Sequence, residues 1–106
     1  MNQDIVTINE EMRNEKKRLR ELEKAEIELG NKHLLFEVEY EKEFARILST
    51  MDGVAANKAD KLTRGATADL RYEWKLAEIV YKANIRAQGN CQSIINMLQS
   101  QLKYME

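Results

Sequence analysis

The sequence predicts an all-α fold, a long antiparallel helical hairpin of coiled-coil type, and three observations carry that prediction. Proline is absent and glycine occurs four times, so little in the composition breaks a long helix. Charged residues make up 33% of the chain, with Glu, Lys, Leu, Ala and Arg abundant, a composition of long helices rather than sheets. Apolar residues recur at steps of three and four in both halves, the period of one helical face. The 106 residues amount to a single domain. The expected layout is a helix over about 5–51, a turn or short helix over about 52–65, and a helix over about 66–105.

The first helix has two candidate starts. Thr7 followed by Glu10 fits a capping box, and Asp4 lies just upstream as a second cap. Ile5, Ile8, Met12, Leu19, Leu22, Leu29, Phe36, Tyr40 and Ile47 then hold one heptad register, with Glu15, Glu26, His33 and Glu43 as its polar members. The segment "FEVEYEKEF" alternates like a strand, but as a helix it lines up Phe36, Tyr40, Phe44 and Ile47 with the preceding seam. The helical reading is preferred, because a lone strand needs sheet partners that the rest of the chain does not offer. Whether Gly30 and Asn31 bend the helix or end it stays open, and with it the choice between two long helices and a three-helix arrangement.

Asp52 and Gly53 make the strongest turn signal, with Gly53 suited to the position just past a helix C-terminus. Beyond it, Ala55, Ala59, Leu62, Ala66 and Leu70 form a thin seam, or else Thr63 or Thr67 caps a new helix after a short helical linker. The second reading is favoured, since Gly65 weakens a continuous helix by about 1 kcal/mol relative to alanine. The last helix carries Leu70, Trp74, Ala77, Tyr81, Cys91, Ile95, Leu98, Leu102 and Met105, interrupted by Asn84 and Gln88, with Val80, Ile85 and Ile94 widening the stripe. A two-helix hairpin has little core, so it either dimerises into a four-helix bundle or lies on a partner.

Charge divides along the chain. Met1–Gly53 holds nine Lys and Arg against thirteen Asp and Glu, net −4, and Val54–Glu106 holds eight against five, net +3. Attraction between two antiparallel helices accounts for that asymmetry. No apolar run approaches a membrane span, and the start "MNQDIVTINEE" lacks the basic-then-apolar order of a secretion signal. The expectation is a cytoplasmic protein that does not enter a membrane. Cys91 stands alone, consistent with a reducing compartment, and no base near it in the sequence marks it as a nucleophile.

Three constellations bear on function. Asn84, Gln88, Gly89 and Asn90 interrupt the last seam, where polar residues fix register or meet a partner. His33 has one companion at helical spacing, Glu37, too few ligands for a metal site. Lys58, Lys61, Arg64, Arg71, Lys75, Lys82 and Arg86 recur at near-helical spacing beside Tyr72 and Trp74; this is a solvated face, or a track for a phosphate backbone with stacking rings. A glycine-rich phosphate loop, Cys/His metal spacing and a nucleophile–base pair are all missing, so no catalytic, cofactor or metal residues are assigned and no enzyme is expected. The partner-binding candidates are Arg71, Trp74, Lys75, Lys82, Asn84, Arg86 and Gln88.

In length and central turn the chain is superficially similar to the small secreted partners of the WXG class, but its turn reads "MDGVAAN", without Trp-x-Gly. The second half, "KLTRGATADLRYEWKLAEIVYKANIRAQGNCQSIINMLQSQLKYME", resembles small helical proteins of bacteriophage early regions, in its Lys/Thr start, its central Tyr-Lys and Arg, and its Ile-x-x-Leu-Gln-Ser ending. The resemblance implies a mobile-element protein in the host cytoplasm that handles host nucleic-acid machinery. The first expectation is thus a binding protein docked on a host protein complex, inhibiting a defence or replication system. A nucleic-acid accessory protein of replication or recombination is the second, and a structural coiled-coil oligomer, including a homodimer, the third.

Overall fold

Asp4, and not Thr7, caps the first helix. The Thr7 N–H donates to Asp4 Oδ1 at 2.7 Å, and the Ile8 N–H donates to the Asp4 carbonyl at 3.1 Å. A carboxylate here satisfies one of the unpaired N–H groups at the helix start. Thr7 lies inside the helix, so the capping-box reading placed the start three residues too late.

The structure, a computed structural model, describes residues 4–105. The fold is all-α, a helical hairpin of three helices: α1 Ile5–Ser49, α2 Ala56–Ala66 and α3 Ala68–Met105. The contacts divide the chain into two compact units, one of Met1–Ile27 with Lys82–Glu106 and one of Glu28–Tyr81. No helix among the described residues is long and apolar enough to cross a membrane.

In the first unit Ile8 and Met12 of α1 pack with Leu98 of α3, and Ile94 and Leu102 close over them. Ile8 stands near the start of α1 and Leu98 near the end of α3, so the two segments run antiparallel. Ile8, Leu98 and Cys91 are fully buried. Each of the two aliphatic side chains contributes about 1.5–3 kcal/mol by leaving water.

In the second unit α1 passes through Gly30 and Asn31 without ending, and "FEVEYEKEF" is helical throughout. Gly30 permits a close approach: a Cβ there would lie 3.2 Å from Tyr81 Cε1 on α3. The extra helix therefore does not come from a break at Gly30. It comes from the connection after α1, where α2 forms.

α1 ends at Ser49, two residues before the expected Met51. Ser49 Oγ donates to the Arg46 carbonyl and Thr50 Oγ1 to the Ile47 carbonyl, both at 2.6 Å, satisfying carbonyls of the last turn. Gly53 then takes φ +80°, a left-handed conformation open to glycine at little cost. α2 buries Ala59 and Thr63, while Leu62 and Ala66 are exposed, so the thin seam through Leu62 and Ala66 does not form. Thr63 Oγ1 donates to the Ala59 carbonyl at 2.7 Å and Thr67 Oγ1 to the Thr63 carbonyl at 2.8 Å. Thr67 is the joint. Its side chain ties it back to α2, while its carbonyl accepts the Arg71 N–H of α3 at 3.0 Å.

Two outcomes follow for stability. A Cβ at Gly89 in α3 would meet nothing within 4 Å, so Gly89→Ala raises stability by about 1 kcal/mol in urea unfolding. Gly30→Ala gains less, because the Tyr81 ring must shift, and Gly53→Ala loses stability through its positive φ. Equal effects at all three positions would contradict the assignments. The second outcome depends on pH, because the Thr7 N–H holds the Asp4 carboxyl below its usual range. A carboxylate lowered by folding stabilises above its unfolded pKa, and that contribution is lost as pH falls through the folded one. Circular dichroism should therefore show Asp4→Ala less helical than the parent at neutral pH, the gap closing under acid, whereas Asp4→Asn keeps its cap at both.

Candidate protein-docking surface

The polar residues of the last seam face inward. Asn84, 7% exposed, donates from Nδ2 to the Leu22 carbonyl of α1 at 3.1 Å. Gln88 Nε2 donates to Glu26 Oε1 at 2.9 Å and to Asn84 Oδ1 at 2.7 Å. One heptad further along α3, the Cys91 thiol lies against Glu15, its pKa pushed up by burial first and by the Glu15 carboxylate next. That is the reverse of an activated nucleophile, which needs a lowered pKa. Within this unit Ile8 meets Leu98, Glu15 meets Cys91 and Leu22 meets Asn84. Seven residues forward on α1 correspond to seven backward on α3.

The second unit has a seam of rings. Trp74 stacks on Tyr40 with centroids 5.2 Å apart and planes 24° apart, and its Nε1–H donates to His33 Nε2 at 3.3 Å. In this bond His33 Nε2 is the acceptor. Its ring stacks on Tyr81 at 5.9 Å and 11°, and the Tyr81 ring lies in the space that Gly30 leaves open. Lys75 Nζ lies 4.2 Å from the Trp74 ring centre, a cation over a π face, and 3.5 Å from Glu78 Oε2. The same carboxylate is 3.6 Å from His33 Nε2. His33 thus packs with Trp74, Tyr81 and Glu78 of α3 rather than forming a site with Glu37. Among the described residues no group of three His, Cys, Asp or Glu side chains is placed to hold a metal ion.

The sequence-based candidates therefore separate. Trp74, Asn84 and Gln88 belong to the seams, and Lys75 is held by Trp74 and Glu78. Arg71, Lys82 and Arg86 are exposed on α3. Trp74, stacked on Tyr40 and with Lys75 over its ring, is not a free platform for a base.

The sequence reading missed the apolar outer surface of the second unit. On α1, Leu34 is 57% exposed, Leu35 65% and Val38 44%. On α3, Tyr72, Leu76, Ile79 and Val80 are exposed as well. An apolar groove of about 150 Å³, lined by Leu29, Lys32, Glu73, Leu76, Ala77 and Val80, opens in the same unit. The signal was present in "HLLFEV", where Leu34 and Leu35 lie off the stripe set by His33 and Phe36.

Asn84 and Gln88 share a hydrogen bond, so their effects on stability should not add. A double-mutant cycle of Asn84→Ala and Gln88→Ala, read by denaturant unfolding, is expected to give a coupling on the order of 1 kcal/mol; additive losses would mean that the pair does not act as one layer. No protein-family model matches the chain, and no curated protein or solved structure matches it either.

Proposed function

We propose that the chain is a non-enzymatic binding protein that docks the outer face of α1 on a protein partner. The observation that carries this reading is the exposure of Leu34, Leu35 and Val38 within one turn of α1, while His33, Phe36 and Tyr40 of the same stretch are turned away from full exposure. Clustered exposed apolar side chains of this kind mark interaction surfaces. Glu37 and Glu41 stand three residues after Leu34 and Val38, giving the acidic fringe that favours a partner with basic residues around an apolar patch. In the phage-type setting implied by the resemblance, the partner is a host complex that handles nucleic acid, and the chain acts in the host cytoplasm as its inhibitor.

A nucleic-acid accessory role is the second reading, favoured by Tyr72, which is 68% exposed and adjacent to the exposed Arg71. Against it stand the engagement of Trp74 by Tyr40 and of Lys75 by Glu78. Affinity capture from the natural host separates the two. Leu34→Glu with Val38→Glu should reduce capture of a defined host protein tenfold or more, since truncating an interface hot spot costs about 2 kcal/mol or more, with an unchanged circular dichroism spectrum. Capture that survives this double change contradicts the α1 reading. DNA binding that falls steeply with salt and disappears on Lys75→Glu, Lys82→Glu and Arg86→Glu would put the nucleic-acid reading in its place.

A further inference from the structure

We infer that the outward stripe of α3 is the contact surface for a second copy of this chain, the two α3 helices running antiparallel about a two-fold axis. α3 is one helix over Ala68–Met105, and it carries two heptad patterns. The inner one runs through Trp74, Ala77, Tyr81 and Asn84 and is consumed by α1. The outer one reads Asp69, Tyr72, Leu76, Ile79, Ala83 and Arg86, at steps of three, four, three, four and three. Every one of these residues is exposed, with Tyr72 at 68% and Ile79 at 61%. A second heptad seam on a helix whose first seam is already filled has no occupant among the described residues.

The order of residues along the stripe selects the occupant and its direction. Set antiparallel, two stripes place Asp69 of each copy opposite Arg86 of the other, Tyr72 opposite Ala83, and Leu76 opposite Ile79. Opposite charges then meet at both ends, the largest side chain faces the smallest, and the centre is aliphatic. Set parallel, Asp69 meets Asp69 and Arg86 meets Arg86, and like charges oppose at both ends. Self-complementarity under a two-fold operation is what an isologous interface requires. A foreign helix would need the same order in reverse, which the chain itself already supplies. The inference is independent of the docking role proposed for α1, whose Leu34 and Val38 take no part in the stripe.

Sedimentation velocity of the full chain over a micromolar concentration series tests it. Twice the monomer mass is expected for the parent. Ile79→Glu should weaken association at least tenfold with helix content unchanged. Asp69→Arg and Arg86→Asp should each weaken it, and the two together should restore it, a rescue that a merely structural effect of either change does not produce. A parent that stays monomeric throughout the series overturns the inference, as does a dimer indifferent to Ile79→Glu or a charge swap without rescue. None of these outcomes bears on host-protein capture through α1, so the two readings fail separately.

Discussion

The hydrogen bonds from Asn84 and Gln88 onto Leu22 and Glu26 are the constraint on which the rest depends. Helical seams of Leu and Ile pair almost equally well one heptad out of place, because the apolar contacts repeat every seven residues. A buried amide does not repeat. Moved by one heptad toward the start of α1, Gln88 would face Leu19 in place of Glu26 and its amide would lose that side-chain acceptor, at a cost of about 1–3 kcal/mol. The polar layer thus trades stability for a single alignment, and that alignment brings Ile8 to Leu98 and Glu15 to Cys91.

The seams use up most of the chemistry-bearing residues. The histidine, the tryptophan, the cysteine and the seam amides all have partners inside the molecule: Trp74 with His33 and Tyr40, Cys91 with Glu15, Gln88 with Glu26 and Asn84. What faces water at helical spacing is largely apolar and charged side chains. Thr63 of α2 and Thr67 just after it each bond through the hydroxyl to the carbonyl four residues back, a local alternative to ordinary capping.

The seams were legible in the sequence because they rest on spacing alone. The apolar steps from Ile8 to Ile47 and from Leu70 to Leu102 predict both long helices, whereas the polar interruptions at Asn84 and Gln88 read equally as register-fixing or partner-binding until their acceptors on α1 are seen. Less legible were the features decided by a residue distant in the sequence. Gly30 looks like a break locally, and only Tyr81 on α3 explains it as a close approach. Thr63 and Thr67 look like N-caps, yet their hydroxyls turn back to α2. Trp74 groups with the lysines by proximity in the sequence, whereas Tyr40 and His33 hold its ring in the seam. The outer stripes were hidden because an apolar residue next to a seam residue reads as a widening of that seam until its exposure is known.

The alignment of α1 on α3 can be read directly with the native thiol. Glu15→Cys places a second thiol against Cys91, and mild oxidation of the monomer should convert the variant almost completely to an intramolecular disulfide, seen as a loss of two hydrogens in the intact mass. Leu22→Cys, one heptad along α1 where the backbone carbonyl accepts from Asn84, should stay reduced under the same conditions. Equal bridging by the two variants, or bridging by Leu22→Cys alone, would mean that the helices slide by a heptad and that Asn84 and Gln88 do not fix their register.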